Sequence, residues 1–369
     1  MLRDDLCLKM HERGVYGAEM LLSVGRVIQR DLDEIRNRIN LDALSGMNVV
    51  ITGGAGFLES WIADSISPYV DSLLIIDNLS TGSISNVAHL LRNPKVKFIM
   101  ADVVDYEIRK KVGSVIDISD IDIIFHLAAR AGPEDFMKHP VETALVNSIG
   151  TYNMLKLALE SDALFLFSSS SEVYGIPFKT PIPEDFWGYV NPIGLRSAYD
   201  ESKRFSEALI MAFHREYGLK VCVARIFNSY GPRLAGRVIH GRVVNRFIEL
   251  CLENKPVTIH GSGTQTRCFT YVTDTIVGIL RMVTTSRAIG EVFNIGSTEE
   301  VSILELAQLV IKLTNSKSCI VFAQPRSDDP PRRVPDITKA RRILKWEPSV
   351  RLVDGLNRTI AWYKERYLT

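Results

Sequence analysis

The sequence predicts an α/β protein: a doubly wound parallel sheet followed by a smaller C-terminal α/β domain. Three observations predict it. From Asn48 onward, short apolar runs alternate with amphipathic stretches, the pattern of strands buried on both faces by crossover helices. A glycine-rich turn joins the first run to the first helix. Beyond Tyr230 the texture changes to Gly- and Pro-punctuated pieces such as GPRLAG, HGSGTQT and AQPRSDDPPRR, which marks a second unit built on the end of the sheet. A length of 369 residues suits about two domains at roughly 150 residues each.

In chain order, residues 1–46 form an extension. VIQRDLDEIRNRINLDALSG carries apolar residues at positions 28, 32, 35 and 39, a helical stripe. It either covers an apolar patch on the body or a partner, or is a surface helix without chemistry. Met47 directly before the first strand leaves a later start open as well. Residues 47–230 hold the runs NVVITGG, SLLIIDN, VKFIMAD, DIIFHLAA, ALFLFSSS and LKVCVARIFN, each read as a strand. ESWIADSIS, TALVNSIGTYNMLKLALES and SKRFSEALIMAFHREYG are helices between them. Residues 231–369 are assigned to the second unit, with helices near 303–314 and 354–366 and some strands returning to the first.

Composition narrows the function classes. Hydrophobic residues make up 46% and charged residues 24%, and 44 basic residues face 43 acidic ones. A net charge of +1 implies no field strong enough to capture nucleic acid or a membrane surface. No apolar run approaches the 18 or so residues of a membrane span, and the start lacks the pattern of a secretory signal. The five cysteines (Cys7, Cys222, Cys251, Cys268, Cys319) form neither a CxxC pair nor a close even set. A cytoplasmic location is expected.

The turn Gly53-Gly54-Ala55-Gly56-Phe57-Leu58 would seat a dinucleotide's pyrophosphate on backbone N–H groups at a helix start. A Rossmann-type domain follows. Asp77 ends the next apolar run, where its carboxylate can accept the two ribose hydroxyls of an adenosine and would repel a 2′-phosphate. NAD is therefore expected over NADP, with Asp102 placed to meet the adenine. One residue breaks the fingerprint: Glu59 stands where the third glycine would fall. It either forces the helix outward or points its charge into a site built for anions, and weakened NAD binding is expected.

Tyr199 and Lys203 stand four residues apart, on one helix face. The ammonium is expected to lower the phenol's pKa and make it a base for a sugar hydroxyl near neutral pH. A strand ending in Ser168-Ser169-Ser170-Ser171 can add a hydroxyl to that proton network.

GGAGF, the pair Asp77–Asn78, HLAA at 126–129, SSEVYG at 170–175, YDESK at 199–203 and ARIFNSYGPR at 224–233 resemble the extended short-chain dehydrogenase/reductase superfamily, and specifically its NAD-dependent nucleotide-sugar epimerase/dehydratase family. The resemblance covers roughly residues 47–366. EDFWGYVNPIGLRSAYDESKR, GRVVNRFI, GSGTQTRCFTYV and DDPPRRVPDITKARRILKWEP look most like UDP-glucuronate decarboxylases, which make UDP-xylose. The resemblance implies that Thr81, Gly82, Val103, Leu127, Ala128 and Ala129 join Gly53, Gly56, Phe57, Leu58, Asp77, Asn78, Asp102, Tyr199 and Lys203 around NAD. It implies that Ser170 assists Tyr199, and that Glu172 and Arg333 act around the sugar carboxyl. It places Ser171, Asn228, Arg242, Arg267 and Arg333 on a UDP-sugar, and it implies a homodimer packed through helices 143–160 and 200–217.

The chemistry separates the subgroups. Oxidation at the sugar's carbon 4 gives a 4-keto sugar in all of them. Ser171 beside Glu172 lacks the Asp-Glu pair with which a 4,6-dehydratase expels a hydroxyl. A 4-keto uronic acid is a β-keto acid and loses CO2 without a metal. Two stretches depart from the decarboxylase pattern: the insertion Leu234–Ile239 and the segment Arg130-Ala131-Gly132-Pro133, which is closer to 4-epimerases. Glu172 and Arg333 also admit a bland reading as a loop carboxylate and a solvated surface charge. Three functions follow: UDP-glucuronate decarboxylase first, a UDP-sugar or UDP-uronate 4-epimerase second, and a non-catalytic nucleotide or NAD-binding protein third.

Overall fold

The computed structural model describes residues 25–234, 242–326 and 330–367. Seven parallel strands make one sheet: β1 (Asn48–Thr52), β2 (Ser72–Asp77), β3 (Val96–Met100), β4 (Ile123–His126), β5 (Leu164–Ser170), β6 (Val221–Ile226) and β7 (Glu291–Ile295). Their spatial order is β3-β2-β1-β4-β5-β6-β7. The chain therefore reverses direction between β1 and β4, and the strands' C-terminal ends open a crevice there, the place where such sheets bind ligands. Val49, Val50 and Ile51 of β1 are wholly buried, as are Phe165, Leu166 and Phe167 of β5. Both faces are covered, which is why these strands read as continuous apolar runs rather than alternating ones.

β7 comes from the later part of the sequence and pairs with β6 from Glu291↔Cys222 to Ile295↔Ile226. The later elements include helices α5 (Val243–Leu252), α6 (Val272–Val283), α7 (Ile303–Thr314) and α8 (Leu352–Tyr367), with small sheets between them. The start of α7 shows how local sequence sets an end: Ser302 accepts from the Glu305 N–H while Glu305 reaches back to the Ser302 N–H, a reciprocal cap.

Helix α1 (Arg26–Arg38) is part of this body, and the surface-helix reading fails. Val27, Ile28, Leu32 and Ile35 are buried against it, which is where the predicted stripe lies, while Ile39 ends the helix half-buried. Among them sits Asp31, fully buried, accepting from the Tyr271 hydroxyl at 2.5 Å and from Arg358 at 3.1 Å. Burying that carboxylate is tolerated because both oxygens are hydrogen-bonded. The expectations for residues 1–24 lie outside the described residues.

Helices α2 (Phe57–Ile66), α3 (Thr151–Ser161) and α4 (Ser197–Tyr217) flank the sheet. The predicted helix 143–160 is continuous: α-helical residues Pro140–Leu145 pass through a π-helical stretch at Val146–Gly150 directly into α3.

Candidate active site

The cofactor end is built first by backbone. After β1 the chain turns at Gly53 with φ of 71°. A Cβ there would fall 2.8 Å from the Ala128 Cα, so only glycine lets the two loops meet. Gly56 then caps α2. At the end of β2, Asp77 accepts from the Ala55 N–H at 2.9 Å and the Leu79 N–H at 2.7 Å. Burial pushes its carboxyl above the usual range against those two bonds. Asn78 donates to Asp102 at 2.9 Å, tying the exits of β2 and β3 together. A cleft of about 400 Å³ is lined by Gly53, Gly56, Phe57, Leu58, Asp77, Asn78, Thr81, Gly82, Asp102, Val103, Ala128 and Ala129. Its glycine floor, helix N-terminus and carboxylate at the far end suit an adenine dinucleotide.

Beneath residues 127–129, His126 bridges Thr52 (2.8 Å) and Thr151 (3.1 Å), and Thr52 in turn accepts from the Ala128 N–H at 3.2 Å. Burial lowers the His126 pKa to about 3, so the ring stays neutral and acts as a brace.

A second cavity of about 270 Å³ adjoins the cleft. Leu127, Ser170, Ser171, Glu172, Tyr199, Lys203, Asn228, Arg242, Arg267 and Arg333 all line it. Tyr199 is hydrogen-bonded to Ser170, and its ring stacks on Phe136 at 4.8 Å with planes 8° apart. Lys203 lies one turn further along α4, where its Nζ donates to the Ser168 carbonyl at 2.7 Å. The expectation that Lys203 lowers the Tyr199 pKa is not met. Burial pushes the phenol up to about 12, and the opposing influences are the Arg242 charge and the Ser170 bond. The same burial drags Lys203 down to about 7, so it loses charge where the phenol would need it.

Glu172 sits in the helical turn Ser171–Tyr174 that ends β5. Arg333 donates to one of its oxygens at 2.6 Å and Arg196 to the other at 2.5 Å. Burial opposes ionisation, but the two guanidinium groups hold the carboxyl well below the usual range. Asp200 shifts the opposite way, raised by burial and by the charge of Glu172, with Arg196 offsetting part of it. Arg333 is no surface charge: it is 2% exposed and also donates to the Gly175 carbonyl at 3.1 Å. It belongs to a strand, Arg332–Arg333, paired with Thr266 and Arg267. Strand alternation turns Arg333 inward while Arg332 faces out to Glu300.

Toward the outer end, Asn228 has φ of 35° and donates to the Cys268 carbonyl at 3.1 Å. Arg242 reaches the Ser229 carbonyl at 3.3 Å and Arg267 the Thr266 carbonyl at 2.7 Å. Of the insertion Leu234–Ile239, only Leu234 is among the described residues. In the other departing segment, Arg130 is engaged by Asp135 at 2.8 Å and Glu142 at 2.6 Å.

Several lining residues carry little sequence signal. Arg196 stands three positions before Tyr199 with nothing to distinguish it from other surface arginines. Glu134 accepts from Arg246 at 3.0 Å and Arg326 at 3.1 Å, joining segments more than a hundred residues apart. Behind the site, Glu207 on α4 accepts from Ser169 at 2.5 Å and from Arg225 at 2.7 and 2.9 Å, which locks α4 to the ends of β5 and β6.

Glu59 is where the geometry departs from a simple dinucleotide site. Phe57, Leu58, Trp61 and Ile62 of α2 are buried, and the Glu59 side chain turns inward, lining both the cleft and the cavity. Its carboxyl lies 2.5 Å from the point a Cβ on Gly56 would occupy.

The GDP-mannose 4,6 dehydratase family model matches residues 50–359. The chain is 41% identical to UDP-glucuronic acid decarboxylase 1 of Arabidopsis thaliana, over 87% of this chain and 71% of that protein. It is 42% identical to UDP-glucuronic acid decarboxylase 1 of Danio rerio, over 85% and 72%. Among solved structures, an epimerase from Methanothermobacter thermautotrophicus superimposes with a TM-score of 0.82 at 31% identity, covering 90% of this chain and 96% of that one. The UDP-glucuronic acid 4-epimerase of Bacillus cereus, in complex with UDP-glucuronic acid and NAD, gives 0.77 at 29% identity over 87% and 100%.

Proposed function

The chain belongs to the GDP-mannose 4,6 dehydratase family, and on that premise we propose that it is an NAD-dependent carboxy-lyase converting UDP-glucuronate to UDP-xylose and CO2. One observation carries the choice of reaction: a carboxylate held between two arginines, Arg196–Glu172–Arg333, within the same cavity as Tyr199 and Ser170. The curated relatives at 40–42% identity bearing the decarboxylase name support it.

The chemistry that NAD supplies when bound is hydride uptake from carbon 4 of the sugar and its return once CO2 has left. Tyr199 in its ionised form, which the Arg242 charge and the Ser170 hydrogen bond favour, receives the 4-hydroxyl proton. Arg333 and Arg196 offer paired donors, so a sugar carboxylate entering the cavity competes with Glu172 for the same forks. When the bond from carbon 5 to the carboxyl breaks, its electron pair stays on the sugar as an enolate, and a proton must then reach carbon 5. Fixed guanidinium charge beside the developing oxyanion stabilises it without reorganisation. Asn228, Arg242 and Arg267 hold the uridine diphosphate.

Residues 47–230 are assigned to NAD and 231–369 to the nucleotide sugar. Leu145, Ile149, Tyr152, Phe205 and Tyr217 are exposed apolar residues around α3 and α4. They fit a homodimer joined by a four-helix bundle, for which light scattering should give twice the chain mass. Cys222, Cys251, Cys268 and Cys319 are free thiols, which suits a reducing cytoplasm. No helix among the described residues is long and apolar enough to cross a membrane.

The segment Arg130-Ala131-Gly132-Pro133 favours the second reading, 4-epimerisation. Incubating the protein with UDP-glucuronate and NAD decides. CO2 with UDP-xylose is expected; UDP-galacturonate would establish the epimerase, and nucleotide binding without product would leave a binding protein.

A further inference from the structure

The function above does not use Glu59, yet Glu59 sits at the junction of the cofactor cleft and the sugar cavity. It is the third residue of α2, whose start is Gly56. Its carboxyl is folded back against Gly56 and accepts from its own backbone N–H. Free N–H groups and the positive end of the helix macrodipole make that spot an anion seat. The seat is where the diphosphate of a dinucleotide must lie. A carboxylate of this chain and a diphosphate cannot share it with both charges in place.

We infer that Glu59 is a built-in occupant of the cofactor's anion seat, and that NAD enters only as the Glu59 carboxyl is neutralised by one proton and moved aside. The inference rests on the NAD reading and deepens it. The surrounding charges make the coupling specific to Glu59. Asp77, at the end of β2, is a like charge; Arg242, before α5, and Lys203, on α4 beside Tyr199, are opposite ones. Of the other charged groups along the cleft, Arg130 is engaged with Asp135 and Glu142 and Arg233 with Asp64, while Asp102 accepts from Asn78 and the Val104 N–H. Burial, with Asp77 adding to it, pushes the Glu59 carboxyl up to about 8 despite its backbone bond and the two cations. The resting group is therefore mostly neutral at pH 7 and charged at pH 9.

Titration calorimetry of NAD+ into the whole protein at pH 6, 7, 8 and 9 tests this, with wild type beside Glu59→Gln and Glu59→Gly. If binding requires the neutral carboxyl, the wild-type Kd weakens about tenfold between pH 7 and pH 9, and repeating the titration in buffers of different ionisation heat shows close to one proton taken up at pH 9. Glu59→Gln keeps the size and removes the charge. Both variants should show a nearly flat Kd, about tenfold tighter than wild type at pH 9. The same pH profile in wild type and Glu59→Gln would overturn the inference while leaving the NAD reading intact. Absence of NAD+ binding in all three proteins would overturn both. The product assay with UDP-glucuronate tests the decarboxylase reading separately.

Discussion

Two glutamates line one continuous cavity, and their surroundings drive them in opposite directions. Glu59 at the cofactor end is pushed up to about 8; Glu172 at the sugar end is held well below the usual range. Burial disfavours charge at both. What separates them is direct contact: Glu172 has a guanidinium on each oxygen, whereas Glu59 has only its own N–H, two cations acting at a distance and the like charge of Asp77. Low dielectric alone neutralises a carboxyl, and paired hydrogen-bonded cations reverse the outcome. The sugar end is thus preset with charge, and the cofactor end is preset without it.

The contrast matters only if both ends serve one reacting centre, and Tyr199 lies between them. Replacing Tyr199 with Phe removes the hydroxyl and keeps the stack on Phe136. Turnover of UDP-glucuronate should fall about a thousandfold, within the range for losing a positioned acid–base group, while calorimetric affinity for UDP stays unchanged. A small loss would mean that the proton leaves by another route and that the two ends are not joined through this phenol.

Arg333→Ala attacks the preset charge. It strips one guanidinium from a nearly buried pair and leaves the Gly175 carbonyl without that donor. Urea denaturation at pH 7 should show a loss of about 3 kcal/mol, the low end for breaking a buried pair, because Arg196 remains on Glu172. CO2 release should fall as well. Stability equal to wild type would show that Arg196 alone sets the state of Glu172.

The pH dependence of stability sharpens the contrast further, because the two signs differ. Glu172, with its folded-state pKa lowered, contributes stability that is present above the ordinary glutamate value of about 4.3 and is lost as the pH falls below it. Glu59, with its pKa raised, does the reverse: the folded state holds its proton longer than the unfolded chain, so stability falls as pH rises from about 4.3 toward about 8. Glu59→Gln should therefore gain on the order of 5 kcal/mol over wild type at pH 9 and little at pH 4. Glu172→Gln should flatten the acid limb and leave the alkaline one. Denaturation midpoints across pH 3–9 read both, and parallel curves for wild type and Glu59→Gln would erase the distinction.

The two ends also differed in how well the sequence announced them. At the cofactor end, Gly53, Gly56 and Asp77 are fixed by local backbone demands at strand exits, so their spacing alone was legible. The inward turn of Glu59 was one of two outcomes the sequence left open, since a helix can tilt or a side chain can fold back. At the sugar end, Tyr199 and Lys203 are legible as one helix face, but the effect of Lys203 on the phenol is not, because burial weakens both charges at once. Arg333 looked like half of an exposed basic pair, and only its strand pairing with Arg267 decides which of the two arginines turns inward. Arg196 and the Glu134–Arg246–Arg326 contacts depend on packing between distant segments, which no local pattern encodes. The buried face of α1 was written in its stripe, whereas the Asp31 anchor to Tyr271 and Arg358 was not.

Ser170 provides the finest test of how the sugar end governs the phenol. Its hydroxyl hydrogen-bonds Tyr199 and also accepts from the Glu172 N–H at 3.3 Å, so it links the base to the carboxylate cluster. That bond favours the ionised phenol, acting with Arg242 against burial. Ser170→Ala removes one such bond, worth about 1.4 kcal/mol or a tenfold effect. The expected result is kcat about tenfold lower with KM nearly unchanged, and an alkaline shift in the pH at which kcat rises. An unshifted pH profile with lower kcat would assign Ser170 to holding the sugar hydroxyl rather than to tuning Tyr199, and the link between the two ends would then run through Arg242 alone.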